Sequence, residues 1–584
     1  MLRPVRLQRF DAGPEDDSAE TREGKTLSVE PEEVKTSSSG VLRALSHTLD
    51  PLAPARENTT VPLGEEGARH LLKRTPNSYL LNQAYSLWVY ISLFLLTILL
   101  THKLAVSDYG VYAIAAAAFN TIAYVVAFGL EDATTTFVPR VLAEHGQASA
   151  AALIRRLLAI RVGILFLCLA ILLFSLPALA SLLALTPLTA GMAAGLRDPG
   201  LQMHIAPIAF WVLANGLFGL LNAVYAAVMR MKTVFIVGGL GQILLLALCF
   251  AALQLRWGID SILWLQGIVT FLGALIFALW QAPLIFTRGA TYHQPMGPVL
   301  RLGLSAWFTN LVSGALLKQI SVLFLISFGA TLAQQAYYNA SFQLTDGANL
   351  LLVSGFGGVG VSALAAAFVG MNYQRLSRTW QTLIKIETLL SAPGLIFCLL
   401  NAPNIMVALY GQKYEPAGQL FAIFLALTLL VRVMGMTIHQ STLYVLGKPR
   451  LVVIAQWAGL IVVLALGFLL VPRWGPAGAL VADGAARLVT CGMMLAFLWK
   501  DIPGKYPLSF SLRLVLAVTI AAIPVLLLHP ASKVMLVAFG LLFIVLSALM
   551  LMIVRPLTRK DLEMIKEVKP AVAPYLRWFV RRAD

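Results

Sequence analysis

The sequence predicts an all-α polytopic membrane protein of about 14 transmembrane helices, and three observations carry that prediction. Of its 584 residues 59% are hydrophobic and 12% charged, with a mean hydropathy of +0.79, a balance foreign to soluble globular proteins of this size. The apolar residues fall in runs of the roughly 20 residues a helix needs to cross about 30 Å of hydrocarbon. Runs such as GQILLLALCFAALQL do not alternate in polarity, so a transmembrane β-barrel is excluded.

In chain order, residues 1–76 are rich in Glu, Ser, Pro and Arg and cannot bury a core, which reads as a disordered cytosolic tail. The segment lacks the short apolar stretch of a cleavable signal peptide, so the first span is expected to direct insertion. Spans follow near 78–102, 108–130, 154–184, 204–229, 233–255 and 259–286, an N-lobe within 77–290. Six more, near 302–328, 333–357, 378–402, 416–444, 449–472 and 476–499, make a C-lobe within 291–500. Two extra helices, 511–529 and 533–554, lie in 501–555. Residues 556–584 form a basic tail with interspersed apolar residues, expected to rest on the inner headgroups or to bind a partner.

The net charge of +16 is uneven. Residues 1–75 hold 11 Lys and Arg against 13 Asp and Glu, leaving 33 against 15 in the remainder. With the N-terminus inside, the cytosolic loops collect ten basic residues and the outer loops six, which places both termini in the cytosol and the chain in the cytoplasmic membrane. Cys168, Cys249, Cys398 and Cys491 fall within spans and form no metal-spaced cluster. No phosphate loop, HExxH or G-x-S-x-G elbow occurs, so no cofactor, metal or catalytic residue is expected, and the chain does not read as an enzyme.

The first six spans and the next six share three stretches in the same order. YGVYAIAAAAFN from Tyr109 matches QAYYNASFQLTD from Gln335, and YAAVMRMKTVFI from Tyr225 matches YVLGKPRLVVI from Tyr444. LRWGIDSILWLQG from Leu255 matches PRWGPAGALVADG from Pro472. Each repeat holds an even number of spans, so both enter from the same side as parallel repeats about an axis along the membrane normal.

The stretch from Leu99 to Glu144, with its Ser107, Tyr109, Gly110, Tyr112 turn and its Gly129, Leu130, Glu131 step, resembles the first helical hairpin of polysaccharide flippases of the multidrug/oligosaccharidyl-lipid/polysaccharide superfamily. LGKPR, Leu446 to Arg450, matches that family's basic turn between spans 10 and 11. Where many relatives end span 8 with proline, this chain has the glycine-rich SGFGGVGVSALAAAF from Ser354. The resemblance implies two lobes around a central cavity. It also implies alternating-access flipping of a polyprenyl-diphosphate-linked glycan, with membrane lipids and polysaccharide assembly enzymes as partners and no nucleic acid.

Ionisable groups deep in a span cost about 2.5 kcal/mol or more on insertion scales, so each needs a cavity or a partner. Lys318, beside Gln319, lies near the middle of span 7. Two readings stand: an interhelical clamp to Asp346 in span 8, or a cavity cation that attracts a diphosphate. Arg432 in span 10 either grips phosphate or bonds neighbouring carbonyls, and His439, seven residues on, lies on about the same face. Asp346 and His439 are candidates for ion coupling, and Asn120 is the repeat counterpart of Asp346. Asp483 and Arg487 have the spacing of an intrahelical pair. Arg155, Arg156 and Arg161 open span 3 at the cytoplasmic entrance, and Lys385 and Glu387, early in span 9, read with the same caution as residues of the membrane edge.

Three rivals accompany the flippase reading: a peptidoglycan lipid-precursor flippase, a multidrug or cation exporter of the same superfamily, and a membrane-embedded glycan polymerase or ligase. The last would need a sizeable outer loop carrying catalytic residues, and the longest here, about 186–203, is short. A cation exporter would need acidic groups where Lys318 and Arg432 stand.

Overall fold

Short turns join apolar helices that reverse direction, as between Glu65–Lys103 and Val106–Ala127 and again before Ile259–Ile285. A computed structural model of the chain describes residues 65–174, 202–287, 294–311, 317–353, 363–368, 371–502, 506–528, 532–568 and 577–580, with single positions missing from some ranges and a few present outside them. Within one compact unit, the first lobe comprises α1 (Glu65–Lys103), α2 (Val106–Ala127), α3 (Leu130–Phe174), α4 (Ile205–Ala227), α5 (Met231–Gln254) and α6 (Ile259–Ile285). The second comprises α7 (Met296–Asn310), α8 (Leu317–Ser327), α9 (Leu332–Val353), α10 (Tyr373–Leu400), α11 (Ala402–Tyr410), α12 (Ala417–Val433), α13 (Met436–Val445) and α14 (Pro449–Leu498). After them come α15 (Leu508–Leu528), α16 (Lys533–Val554) and the short α17 (Arg559–Val568).

Where it is described, every predicted span lies on helix, yet ten helices among the described residues are long and apolar enough to cross a membrane. The difference has several sources. Spans 11 and 12 are one helix by hydrogen bonding, folded back at Gly475, whose φ of 53° and ψ of −129° are far from helical. Span 7 is described as α7 and α8, with 312–316 between them outside the described residues, and span 3 beyond Phe174 is described only at single positions; span 10 counts as one of the ten although Gly435, with φ of 77°, breaks it into α12 and α13. Span 8 carries Gln334, Gln335, Asn339, Gln343 and Asp346, which lower its hydropathy. At the N-terminal end α1 begins at Glu65, so residues 65–76, read as tail from composition, extend the first span as helix, while residues 1–64 lie outside the described residues.

The matched stretches occupy corresponding places. Both Arg-Trp-Gly copies turn the chain between two spans, α5 to α6 and across the bend of α14, and both basic stretches lie between spans, α4 to α5 and α13 to α14. Large apolar side chains such as Leu240, Ile461 and Val534 are exposed around the bundle, the surface a lipid solvent requires.

Two packing features bear on function. The first half of span 7, α7, lies against the first lobe: Trp307 Nε1 donates to the carbonyls of Tyr124 (3.0 Å) and Val125 (3.1 Å), and its ring stacks on Phe128 at 5.0 Å. Its second half, α8, packs on α14 in the second lobe. At the other end of the chain, α15, α16 and the tail build a core with α10 in which Leu557 and Val580 are buried. Thr558 and Asp561 cap α17, and Asp561 receives Lys385 Nζ at 2.9 and 2.8 Å and Thr382 Oγ1 at 3.1 Å. The tail is tied into the second lobe in addition to whatever its basic face does at headgroups.

Candidate functional site

The break in span 10 brings a buried ion pair together. Gly435 is left-handed, and a Cβ there would lie 2.8 Å from Ile384 Cγ1, so the break requires glycine on two counts. Arg432, in the last turn of α12, sends Nη1 across the gap to Thr437 Oγ1 (2.8 Å) and to Glu387 Oε1 of α10 (2.7 Å). The Glu387 side chain is 0% exposed and Arg432 20%. A guanidinium at the C-terminal end of α12 also complements that helix's dipole. The second oxygen of Glu387, Oε2, has no hydrogen-bond donor among the described residues.

His439 faces the same helix. Trp380 Nε1 donates to His439 Nδ1 at 3.1 Å, which makes Nδ1 the acceptor and puts the imidazole proton on Nε2. Trp380 and Glu387 are seven residues apart on α10, as are Arg432 and His439 on span 10, so the shared face expected from spacing persists across the break. Tyr506 completes the group, its hydroxyl donating to the Val433 carbonyl that the break frees.

A second charged group lies between α9, α12 and α14. Arg487 Nε binds Asp483 Oδ2 at 2.8 Å, the intrahelical pair that the spacing predicted, and its guanidinium sits 5.3 Å from the centre of the Phe424 ring. Asp346 of α9 is within electrostatic range of Arg487. Lys318 lies on α8, and its side chain lies outside the described residues; Gln319 is half-buried. Asn120 and Asp346 are each the fifteenth residue of their helix, counted from Val106 and Leu332, on two helices that pack together across the lobes.

The three entrance arginines part company. Arg161 is buried at 3% exposure: Nε donates to the Gly216 carbonyl (2.9 Å), Nη1 to Val126 (2.8 Å) and Ala127 (3.0 Å), and Nη2 to Glu131 Oε1 (2.5 Å). Arg155 caps α6 through the Ile285 carbonyl at 2.6 Å, and Arg156 is half-buried on the same turn. Lys385 and Glu387, neighbours on α10, diverge to Asp561 and Arg432. Sequence reasoning left Glu387 at the membrane edge, although an acid two turns into an apolar span with an arginine one span later was the available signal.

All four cysteines are free, and no group of three or more metal-ligating side chains occurs among the described residues. No family model and no curated protein matches the chain. Solved structures do match, and they show its fold. A structure described as lipid II flippase MurJ in an inward closed conformation superposes with a TM-score of 0.59 at 14% identity, over 80% of this chain and 98% of that one. An inward-facing multidrug resistance MATE family transporter of the MOP superfamily matches at 0.54 and 16% identity, over 71% and 93%. A MOP superfamily transporter from Pyrococcus furiosus, described as having a binding pocket of reverse polarity, matches at 0.52 and 15%, over 72% and 94%.

Proposed function

We propose that the protein moves an anionic lipid-linked glycan, a polyprenyl-diphosphate glycan for polysaccharide assembly, across the cytoplasmic membrane by alternating access. The observation that carries this reading is the Arg432–Glu387 pair at the break of span 10. Arg432 keeps part of its surface exposed while its carboxylate partner has an oxygen without a donor among the described residues. A diphosphate is a stronger, bidentate partner for the guanidinium than one carboxylate oxygen, so cargo competes with Glu387 for Arg432. Lys318 adds a second cation one span before Asp346, and Gln319, Asn120 and Asp346 supply polar contacts. His439 and Asp346 are the groups through which an ion gradient would act. Arg155 and Arg156 attract the headgroup at the entrance, while Arg161 holds the lobe that they enter. Both termini lie in the cytosol, and assembly enzymes are partners there.

A second reading, a peptidoglycan lipid-precursor flippase, is favoured by the fold shared with a lipid II flippase and uses the same diphosphate chemistry. A cation exporter fits the fold equally and the buried cations poorly. The test is a flipping assay in proteoliposomes with a fluorescent polyprenyl-diphosphate glycan and an impermeant quencher. Folded Arg432→Ala and Lys318→Ala chains are each expected to flip about 10- to 100-fold more slowly, the worth of a charge-assisted hydrogen bond of about 1.5–3 kcal/mol. Wild-type rates in both would sink the reading.

A further inference from the structure

Opposite the cytosolic ends of the helices, where α1 turns into α2, the two lobes close on a cluster of tyrosines. Tyr109 stacks on Tyr112 of the same helix at 5.9 Å and meets Tyr414 edge-on at 6.0 Å. Tyr414 is met edge-on by Tyr337 of α9 at 5.9 Å and packs against Tyr410, at the end of α11, at 5.8 Å. Two of the rings come from the first lobe and three from the second. The backbones touch beside them: a Cβ on Gly110 would lie 2.1 Å from the Leu332 carbonyl oxygen, with no side chain to move aside. Lys413 straps the lobes by donating Nζ to the Leu104 carbonyl at 2.5 Å.

The hydroxyls divide into two kinds. Tyr109 receives Asn339 Nδ2 at 3.2 Å and Tyr112 receives Gln266 Nε2 at 2.8 Å. Tyr410 and Tyr414 are fully buried, and their hydroxyls have no hydrogen-bond partner among the described residues. An unpartnered buried hydroxyl is destabilising, and phenylalanine would fill the same space without that cost. The closed arrangement therefore gives no use to the two oxygens. When the lobes part, the same rings face one opening, with flat apolar surfaces and hydroxyls side by side. That combination suits a sugar, whose apolar ring face stacks on an aromatic while its hydroxyls hydrogen-bond around it.

We infer that this tyrosine cluster is a carbohydrate-contact surface, sealed in the closed arrangement, that engages the sugars of the cargo as this end opens; the inference rests on reading the cargo as a lipid-linked glycan. Relief of the two buried hydroxyls favours opening, and sugars that bind only the opened surface shift the equilibrium further.

Two measurements on the full chain test it. In proteoliposomes, the Tyr410→Phe/Tyr414→Phe change is expected to slow flipping of a polyprenyl diphosphate bearing an oligosaccharide about 10-fold more than that of the bare polyprenyl diphosphate, the worth of one or two hydrogen bonds. Its melting temperature should not fall. Unchanged flipping of the glycan lipid, or equal slowing of both lipids, overturns the inference. In detergent, Gly110→Val, with Lys413→Ala as the milder alternative, props this end apart and should bind a soluble oligosaccharide at millimolar concentration, with binding lost when both tyrosines are also Phe. Binding that survives those substitutions, or no binding in either propped chain, also overturns it. If the wild type moves neither lipid while the propped chain binds sugar through the tyrosines, the cargo reading fails and the surface stands.

Discussion

Two arginines serve two breaks in the helices, one in each lobe, and they are held differently. In the first lobe α2 ends at Phe128 and Gly129, both left-handed, and Arg161 binds the carbonyls that this end frees together with Glu131 on the far side. In the second, Gly435 breaks span 10, and Arg432 joins Thr437 and Glu387 across it. Arg161 is buried, with four donor contacts to fixed protein acceptors. Arg432 is partly exposed, and its carboxylate has an oxygen without a donor among the described residues. The same residue type at the same kind of break is therefore a staple in one lobe and a replaceable contact in the other. A guanidinium bound to backbone carbonyls cannot exchange partners without unravelling helix ends, whereas one bound to a side-chain carboxylate can.

The largest expected effect separates these roles. Arg161→Ala removes all four contacts and leaves Glu131 and three backbone carbonyls without their donor, which should cost about 3–5 kcal/mol. Thermal unfolding in detergent should show a large fall for Arg161→Ala and a clearly smaller one for Arg432→Ala. Equal falls would make both arginines staples and end the comparison.

The tail supplies an intermediate case. Burial opposes ionisation of Asp561, but the Lys385 ammonium and the hydrogen bonds from Lys385 and Thr558 outweigh it and hold the carboxyl below the ordinary carboxylate range. The docked tail therefore adds stability that is present above about pH 4, the range of a free carboxyl, and is lost as pH falls through the docked value. Asp561→Asn should lower the melting temperature at pH 7, by about 1.5–3 kcal/mol in free energy, with the gap to wild type shrinking only in acid. A gap independent of pH would mean that the ion pair contributes nothing.

A smaller effect sharpens the second break. Gly435→Ala forces a left-handed alanine against Ile384 and should cost about 1–2 kcal/mol. If it changes flipping no more than stability, as judged by rates per folded molecule, the break serves packing alone.

Much of the fold was legible in the sequence because lipid imposes it: apolar length locates spans, and spacing predicted both the Asp483–Arg487 pair and the common face of Arg432 and His439. The breaks were not legible, since Gly435 is one glycine among 44 and only its φ and its contact with Ile384 distinguish it. Glu387 was missed because partners on different helices leave no spacing signal. Arg161 was placed with Arg155 and Arg156 by sequence proximity, yet a helix turns about 100° per residue and sends these side chains to different neighbours. The repeat drew attention to Tyr109, Gly110 and Tyr112, but nothing in a sequence says that rings from both lobes meet there.

The central claim is that Arg432 exchanges Glu387 for an anionic headgroup, and the most direct measurement is equilibrium binding of a fluorescent polyprenyl diphosphate to purified protein. Freeing the guanidinium with Glu387→Gln should tighten binding about 10-fold, the worth of one charged contact, while Arg432→Gln in the folded chain weakens it by at least as much. Equal affinity for both variants and the wild type would contradict the account.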